Sequence, residues 1–134
     1  MTMRVIGEHF DGLIQILDFP VHKDARGGLI PLAWRDLPFN PAHAFLINAT
    51  DGAIRGGHGH RKTSQILVRI GGTVVVEARK SGMEARIELA ASPNAILIRP
   101  SVWSTQTYHG ANASALVLSS HPFDPDSYIR EPDA

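Results

Sequence analysis

Gly52-Ala53-Ile54-Arg55-Gly56-Gly57-His58-Gly59-His60, followed by Gln65 and then Gly72, is the stretch on which the reading of this chain turns. Side chains alternate along an extended strand, so His58 and His60, one residue apart, point to the same side. An imidazole has an ordinary pKa of ~6.5 and takes or gives a proton near neutrality. Two of them facing one cavity could pull a proton from one carbon and return it to a neighbour. Arg55 ahead of the pair is a permanent cation, and Gln65 behind it is a neutral amide.

Outward from this segment, short apolar runs with β-branched residues recur between turn formers. Residues 13–17 form one such run, and Asp24-Ala25-Arg26-Gly27-Gly28 reads as a turn before residues 29–34. Residues 44–48 lead through Thr50-Asp51-Gly52 into the histidine segment. Residues 65–70 and 73–78 flank Gly71-Gly72, a two-residue hairpin signal. Lys80-Ser81-Gly82 precedes residues 85–89, Ser92-Pro93-Asn94 precedes 95–98, and 113–119 is the last clear strand. No segment sustains a 3.6-residue apolar period long enough for a major helix. Many short strands at fairly regular spacing predict a sandwich or barrel, which also answers the problem of exposed sheet edges. The expected fold is an all-β jelly roll, a double-sheet β-sandwich or barrel, in a single domain over residues 1–134.

Composition narrows the function further. Thirteen Lys+Arg balance thirteen Asp+Glu, and no basic block stands out. A general electrostatic grip on nucleic acid or an anionic membrane is therefore not expected. Cysteine is absent, which excludes disulfides and thiolate chemistry and fits a reducing compartment. The N-terminus meets Glu8, His9 and Asp11 before any long apolar run, unlike a signal peptide. No apolar stretch approaches the ~18 residues of a membrane helix, so the cytoplasm is the expected location.

The histidine segment resembles the first motif of the cupin superfamily: Gly, five residues, His-x-His, four residues, Glu, six residues, Gly. Every spacing fits, with Gln65 in the Glu position. A cupin metal site adds a histidine from a second motif, Gly, five residues, Pro-x-Gly-x-x-His. The matching stretch runs from Asn94 to Pro100-Ser101-Val102-Trp103-Ser104-Thr105, which puts Thr105 where that ligand belongs. Two neutral imidazoles alone hold a catalytic divalent ion poorly, so the expectation is no metal.

Within the cupins the chain resembles the sugar 3,4-ketoisomerases of nucleotide-activated deoxysugar pathways. Their Arg-Gly-x-His-Ala-His-Lys, followed four residues on by Gln, is matched by Arg55, Gly56, His58, Gly59, His60, Arg61 and Gln65. Asp24-Ala25-Arg26-Gly27-Gly28-Leu29 is similar to the family's early Asp-x-Arg-Gly-x-Leu, and Pro100-Ser101-Val102-Trp103 to its Pro-x-x-Trp. The closing stretch from Leu118 to Arg130, with Ser127-Tyr128-Ile129-Arg130, is similar to a family ending in Asp-Tyr-Ile-Arg.

This resemblance implies a thymidine-diphosphate-linked 4-keto-6-deoxyhexose as substrate and a 3-keto sugar as product, without metal or organic cofactor. It implies His58 as the base and His60 as proton donor or relay. Arg55 suits a diphosphate or a developing enolate oxygen, or else a surface ion pair supporting the loop. Gln65 would hold a sugar hydroxyl or an imidazole. Arg69 shares parity with Gln65, and faces either the cavity or solvent at a strand end. Trp103 packs either beside the sugar or nucleobase, or in the core. The family also implies a homodimer, for which the apolar N-terminal segment of residues 3–17 offers a strand to pair with a second subunit.

Two departures bear on the chemistry. The strand before the histidines, His43-Ala44-Phe45-Leu46-Ile47-Asn48, lacks the family's Tyr, for which His43 or Tyr108 are possible stand-ins. Gly59 replaces the usual Ala and is expected to loosen that backbone. Other functions for the same cavity are a 3,5-epimerase-like enzyme, a nucleotide-sugar-binding cupin without turnover, and a metal-dependent cupin.

Overall fold

Gly71-Gly72 does not form a hairpin. The computed structural model describes residues 2–133, and in it the two glycines sit inside one sixteen-residue strand, β7, Gln65–Lys80. The other strands are β1 (Arg4–His9), β2 (Ile14–Asp18), β3 (His22–Asp24), β4 (Gly27–Leu29), β5 (His43–Asn48) and β6 (Ile54–His60). Beyond β7 come β8 (Met83–Leu89), β9 (Ala95–Ile98), β10 (Trp103–Ser119) and β11 (Tyr128–Ile129), with 3-10 turns at Trp34–Asp36 and Pro125–Ser127. Among the described residues there is no α-helix, and no helix long and apolar enough to cross a membrane.

A hairpin at the glycines would pair the two halves of β7 with each other. Instead both halves pair with β10, which at seventeen residues is slightly longer. Residues 65–71 lie against 114–119 of β10, and residues 73–79 against 103–109. The register shifts between His109 and Ser114, opposite the glycines. Both strands therefore bend together, and the bend folds one sheet into two facing layers. Gly72 takes a positive φ of 65°, and a Cβ on Gly71 would stand 2.5 Å from the Asn112 carbonyl oxygen. Only glycine satisfies both the turn of the backbone and this close approach.

One layer runs β1, β2, β9, the first half of β7, the second half of β10, then β5. The other runs β8, the second half of β7, the first half of β10, β6, then β11. This is the expected all-β double-sheet sandwich. Its interior holds Ile14, Leu67, Val74, Val76, Ile87, Leu89, Ile96, Val102, Tyr108 and Val117. Each such side chain removed from water stabilises the fold by roughly 1.5–3 kcal/mol.

The alternate residues of the first layer, Leu17, Ile66, Val68, Ala95 and Leu97, are buried too, under Ile30, Leu32, Leu37 and Phe39. Of residues 29–34, expected as a strand, Ile30 and Leu32 serve in this cover. Only Leu29 belongs to a strand, β4. Pro31 and Pro38 lack the N–H a ladder needs, so the segment crosses the sheet face as a loop. Asn94 anchors Phe19, just after β2, accepting from Phe19 N at 2.9 Å and donating to Phe19 O at 3.0 Å.

The N-terminal apolar residues divide between two strands. β2 pairs with β9 of its own chain, burying Ile14 and Leu17 there. β1 folds back on β2 through Phe10, Asp11 and Gly12, all with positive φ, and its outer side pairs with no other described strand.

Candidate active site

The cavity between the layers is built from a cross-strand row. His43 on β5 is opposite Ser119 on β10, which is opposite Gln65 on β7, which is opposite Ile98 on β9. Residues in register share a face, so all four look into the same space. Phe45, Val117 and Leu67 form the next row inward, and both rows line a cavity of about 310 Å³. Gln65 donates to Ser119 Oγ at 3.0 Å, fixing its amide within the row.

β6 supplies the facing wall. Arg55 and His58 have opposite parity, yet both line the cavity. A bulge explains this: Ser104 pairs with His58 and the next residue, Thr105, with Gly56, leaving Gly57 unpaired. Gly56 and Gly57 both take positive φ, of 85° and 79°, which the bulge requires and β-carbons oppose. Beyond it the alternation resumes and presents His58 and His60 together.

The two imidazoles lie 5.2 Å apart, nearly perpendicular at 82°. Tyr128 covers them both: its ring is stacked on His58 at 4.1 Å and 5°, and set edge-on to His60 at 5.0 Å and 86°. Burial pushes the His58 pKa below its ordinary value, the Gly56 backbone opposes this, and Arg130 adds to it. Burial, then the neighbouring His58, push His60 down to about 4, with the Gln65 amide opposing. His60 Nε2 is buried and has no hydrogen-bond partner among the described residues. Both rings are therefore neutral at pH 7, the form that can accept a proton.

The tail closes the open side. Tyr128 pairs with His60 and Ile129 with Gly59, Arg61 N donates to Ser127 O at 3.0 Å, and Lys62 pairs with Asp124 at 3.5 Å. His121, Pro122, Phe123, Asp124 and Tyr128 complete the lining.

Of the residues singled out from sequence, the structure brings together Arg55, His58, His60 and Gln65. Arg55 is exposed at the cavity and makes no ion pair among the described residues. Trp103 and Arg69 lie off the cavity. Trp103 faces the other way and donates its indole N–H to Arg130 O at 3.3 Å, with the Arg79 guanidinium 5.9 Å from its ring. Arg69 has the right parity but sits at the sheet corner, where its Nε donates to Gly72 O at 2.6 Å. Of the two stand-ins for the absent tyrosine, His43 lines the cavity. Tyr108 is fully buried behind it, its hydroxyl 2.6 Å from Gln106 Oε1, and burial raises its pKa to about 12.

Sequence reasoning gave no role to Tyr128 or His121. Tyr128 stood in a quoted motif, but only the pairing of β11 with β6 shows what it covers. Among the described residues no three His, Asp or Glu side chains group to hold a metal. The amide of Gln65 occupies the place where a carboxylate would be needed, so this donor set does not fit a cupin metal ion.

Comparison with known proteins follows the same line. The family model described as FdtA: WxcM-like, C-terminal, matches residues 13–134. A TDP-4-oxo-6-deoxy-alpha-D-glucose-3,4-oxoisomerase of Aneurinibacillus thermoaerophilus is 27% identical over 121 residues, spanning 89% of this chain and 87% of that protein. The sugar 3,4-ketoisomerase QdtA of Thermoanaerobacterium thermosaccharolyticum, solved in complex with TDP, is 30% identical with a TM-score of 0.79, covering 88% of each chain. The WlaRB TDP-quinovose 3,4-ketoisomerase of Campylobacter jejuni is 28% identical with a TM-score of 0.78, covering 88% of this chain and 92% of the other.

Proposed function

The chain belongs to the FdtA family, and on that premise we propose that it is a sugar-nucleotide 3,4-ketoisomerase acting on a thymidine-diphosphate-linked 4-keto-6-deoxyhexose. The C3 proton of such a sugar is acidic because C4 is a carbonyl. His58 removes it, the electrons pass to the C4 oxygen, and a cis-enediolate forms. A proton is then delivered to C4 by way of His60, the C3 hydroxyl proton passes to the C4 oxygen, and C3 becomes the new ketone with a hydroxyl at C4. No electrons leave the sugar, so the reaction asks for acid–base groups and no redox cofactor.

One observation carries this reading: two desolvated imidazoles share one wall of one cavity, with the neutral Gln65 in place of a metal-binding carboxylate. Desolvation keeps His58 unprotonated at neutral pH, as a base must be. Arg55, at the cavity rim, is suited to the diphosphate. The cysteine-free sequence fits a cytoplasmic location. A homodimer would use the free side of β1, whose backbone groups need partners.

The test is incubation of the protein with the 4-keto-6-deoxyglucose nucleotide in deuterated buffer, following the sugar protons by NMR. Exchange at C3 and a new C3 ketone are expected. Exchange at C5 as well would make the enzyme epimerase-like. Saturable binding without any exchange would make the protein a sugar-nucleotide binder.

A further inference from the structure

A further imidazole in the cavity has its ring oriented from behind. His121 directly follows Ser120 at the end of β10 and lines the cavity, and its Nδ1 lies 2.8 Å from Ser120 Oγ. The same hydroxyl oxygen accepts the Ser64 backbone N–H at 2.9 Å, and Ser120 N donates to Ser64 O at 2.9 Å. Residue 120 is thus clamped to residue 64 from both sides. A serine hydroxyl has one proton to donate. Among the described residues His121 Nδ1 is the one acceptor within reach of that proton, and a bond in this direction places the ring proton on Nε2.

Some of the other polar groups of the wall are committed elsewhere, while His43 and Arg55 line it without a side-chain hydrogen bond among the described residues. The Gln65 amide donates to Ser119, and the Tyr108 hydroxyl is bonded to Gln106 behind the lining. β5 offers Phe45 rather than a phenol. Tyr128 holds its ring flat on His58. His121 is the lining imidazole whose ring is oriented from outside the cavity, through Ser120, beside the proposed acid–base pair of His58 and His60.

We propose that His121 is a further catalytic residue: its Nε2–H donates a hydrogen bond to the C3 and C4 oxygens of the sugar as enediolate charge develops on them. The proposal rests on the isomerase reading above. An oriented ring N–H suits this role because it stabilises developing charge by a hydrogen bond without giving up its proton. The Ser120 hydroxyl strengthens the donor by polarising the ring from the opposite nitrogen.

The experiment combines C3 deuterium exchange, steady-state turnover and 15N NMR of the histidine rings. In the wild-type protein the 15N spectrum is expected to show His121 as the Nε2–H tautomer at neutral pH. His121→Ala should lower kcat about 10²-fold, the usual loss for one such donor, with thymidine diphosphate affinity held within about twofold. Ser120→Ala should fall between wild type and His121→Ala and shift the tautomer toward Nδ1–H. Tyr128→Phe, which removes the other hydroxyl, should lose far less than His121→Ala. A His121→Ala enzyme with near-wild-type kcat, or a wild-type His121 protonated on Nδ1, would overturn the proposal even in an active isomerase. Wild-type protein that is folded but exchanges no C3 proton would remove the isomerase reading, and this proposal with it.

Discussion

Tyr128 and His58 are stacked face to face, centroids 4.1 Å apart and planes 5° from parallel. The phenol is held in turn by strand pairing of β11 to β6, and the Arg130 guanidinium lies 5.6 Å from its ring. The contact shields the imidazole from water and fixes its plane, linking the chain's last strand to the proposed base.

Tyr128→Leu should therefore do two things at once. The exposed His58 should regain hydration, so its pKa rises toward the ordinary 6.5. The ring should also lose its orientation, at a cost on the order of 10–100-fold in kcat. Tyr128→Phe keeps the stack and should keep the pKa. NMR titration of the His58 ring reads the shift without turnover. An unchanged His58 titration in Tyr128→Leu would show that the stack has no part in holding the ring neutral.

The pH profile follows from the same desolvation. A base must be unprotonated, and the His58 pKa lies below 6.5, so the acid limb of kcat/KM should fall below pH 6.5. The two rings interact, and the limb reports the pair rather than one residue. Stability should follow the same direction. His60 titrates near 4 in the folded protein against 6.5 as its ordinary value. Between these values the unfolded chain binds a proton that the folded one refuses. Stability is full above 6.5 and declines as pH falls through this window. Chemical denaturation at pH 7.5, 6 and 5 measures it, and His60→Gln should flatten the dependence.

His58→Asn should abolish turnover while leaving the fold and nucleotide binding nearly intact, a loss of ~10²–10⁴-fold in rate. His60→Asn should also be severe, but C3 exchange should survive in it if His60 acts only at C4. Equal loss of exchange in both variants would mean that the pair works as one unit.

The parts of the site legible in sequence were those set by strand parity. His58 and His60 alternate with Gly59, so spacing placed them on one side, and the motif match added Gln65. Parity failed wherever the backbone left the regular ladder. Gly71-Gly72 has the residues of a tight turn, but the long partner strand β10 lies about forty residues later and makes the glycines a corner. The same corner takes Arg69 away from the cavity despite its correct parity. Trp103 is just past the Pro100-Ser101 turn, where Ser101 has a positive φ of 78°. No period carries across such a break. Tyr128 and His121 reach the site through the tail's path over β6 and β10, a tertiary fact with no local pattern.

A dimer built on β1 is expected from its unpaired outer side, which carries Val5 and Ile6 at 47% and 49% exposure. Pairing with a second copy would satisfy the backbone of this edge and cover both side chains. Light scattering should give twice the chain mass at micromolar concentration. Removing residues through Phe10 should weaken the dimer before it affects catalysis, because no residue ahead of His43 lines the cavity. A monomer at those concentrations, fully active, would end the idea.

Gly59, expected to loosen the backbone between the histidines, is instead under the tightest packing in the site. Its own φ is unremarkable for any residue, since it is not among the positive-φ positions. What excludes a side chain is proximity: a Cβ would stand 2.5 Å from the Val102 carbonyl oxygen, 3.0 Å from its carbon and 3.3 Å from Trp103 Cα. All three are backbone atoms. Val102 is itself fully buried in the sandwich interior, and the Ser101 amide donates to His60 O at 2.7 Å, so the two segments cannot separate cheaply. Gly59→Ala should cost about 1–3 kcal/mol of stability, in the range of overpacked cores. Because relief comes from moving β6, the flanking imidazoles should shift as well, and the effect on kcat should exceed that on nucleotide affinity. Denaturant midpoints and turnover measured on the same preparation test both parts. Wild-type stability in Gly59→Ala would mean that the approach of β6 to Val102 is not what holds this wall of the cavity.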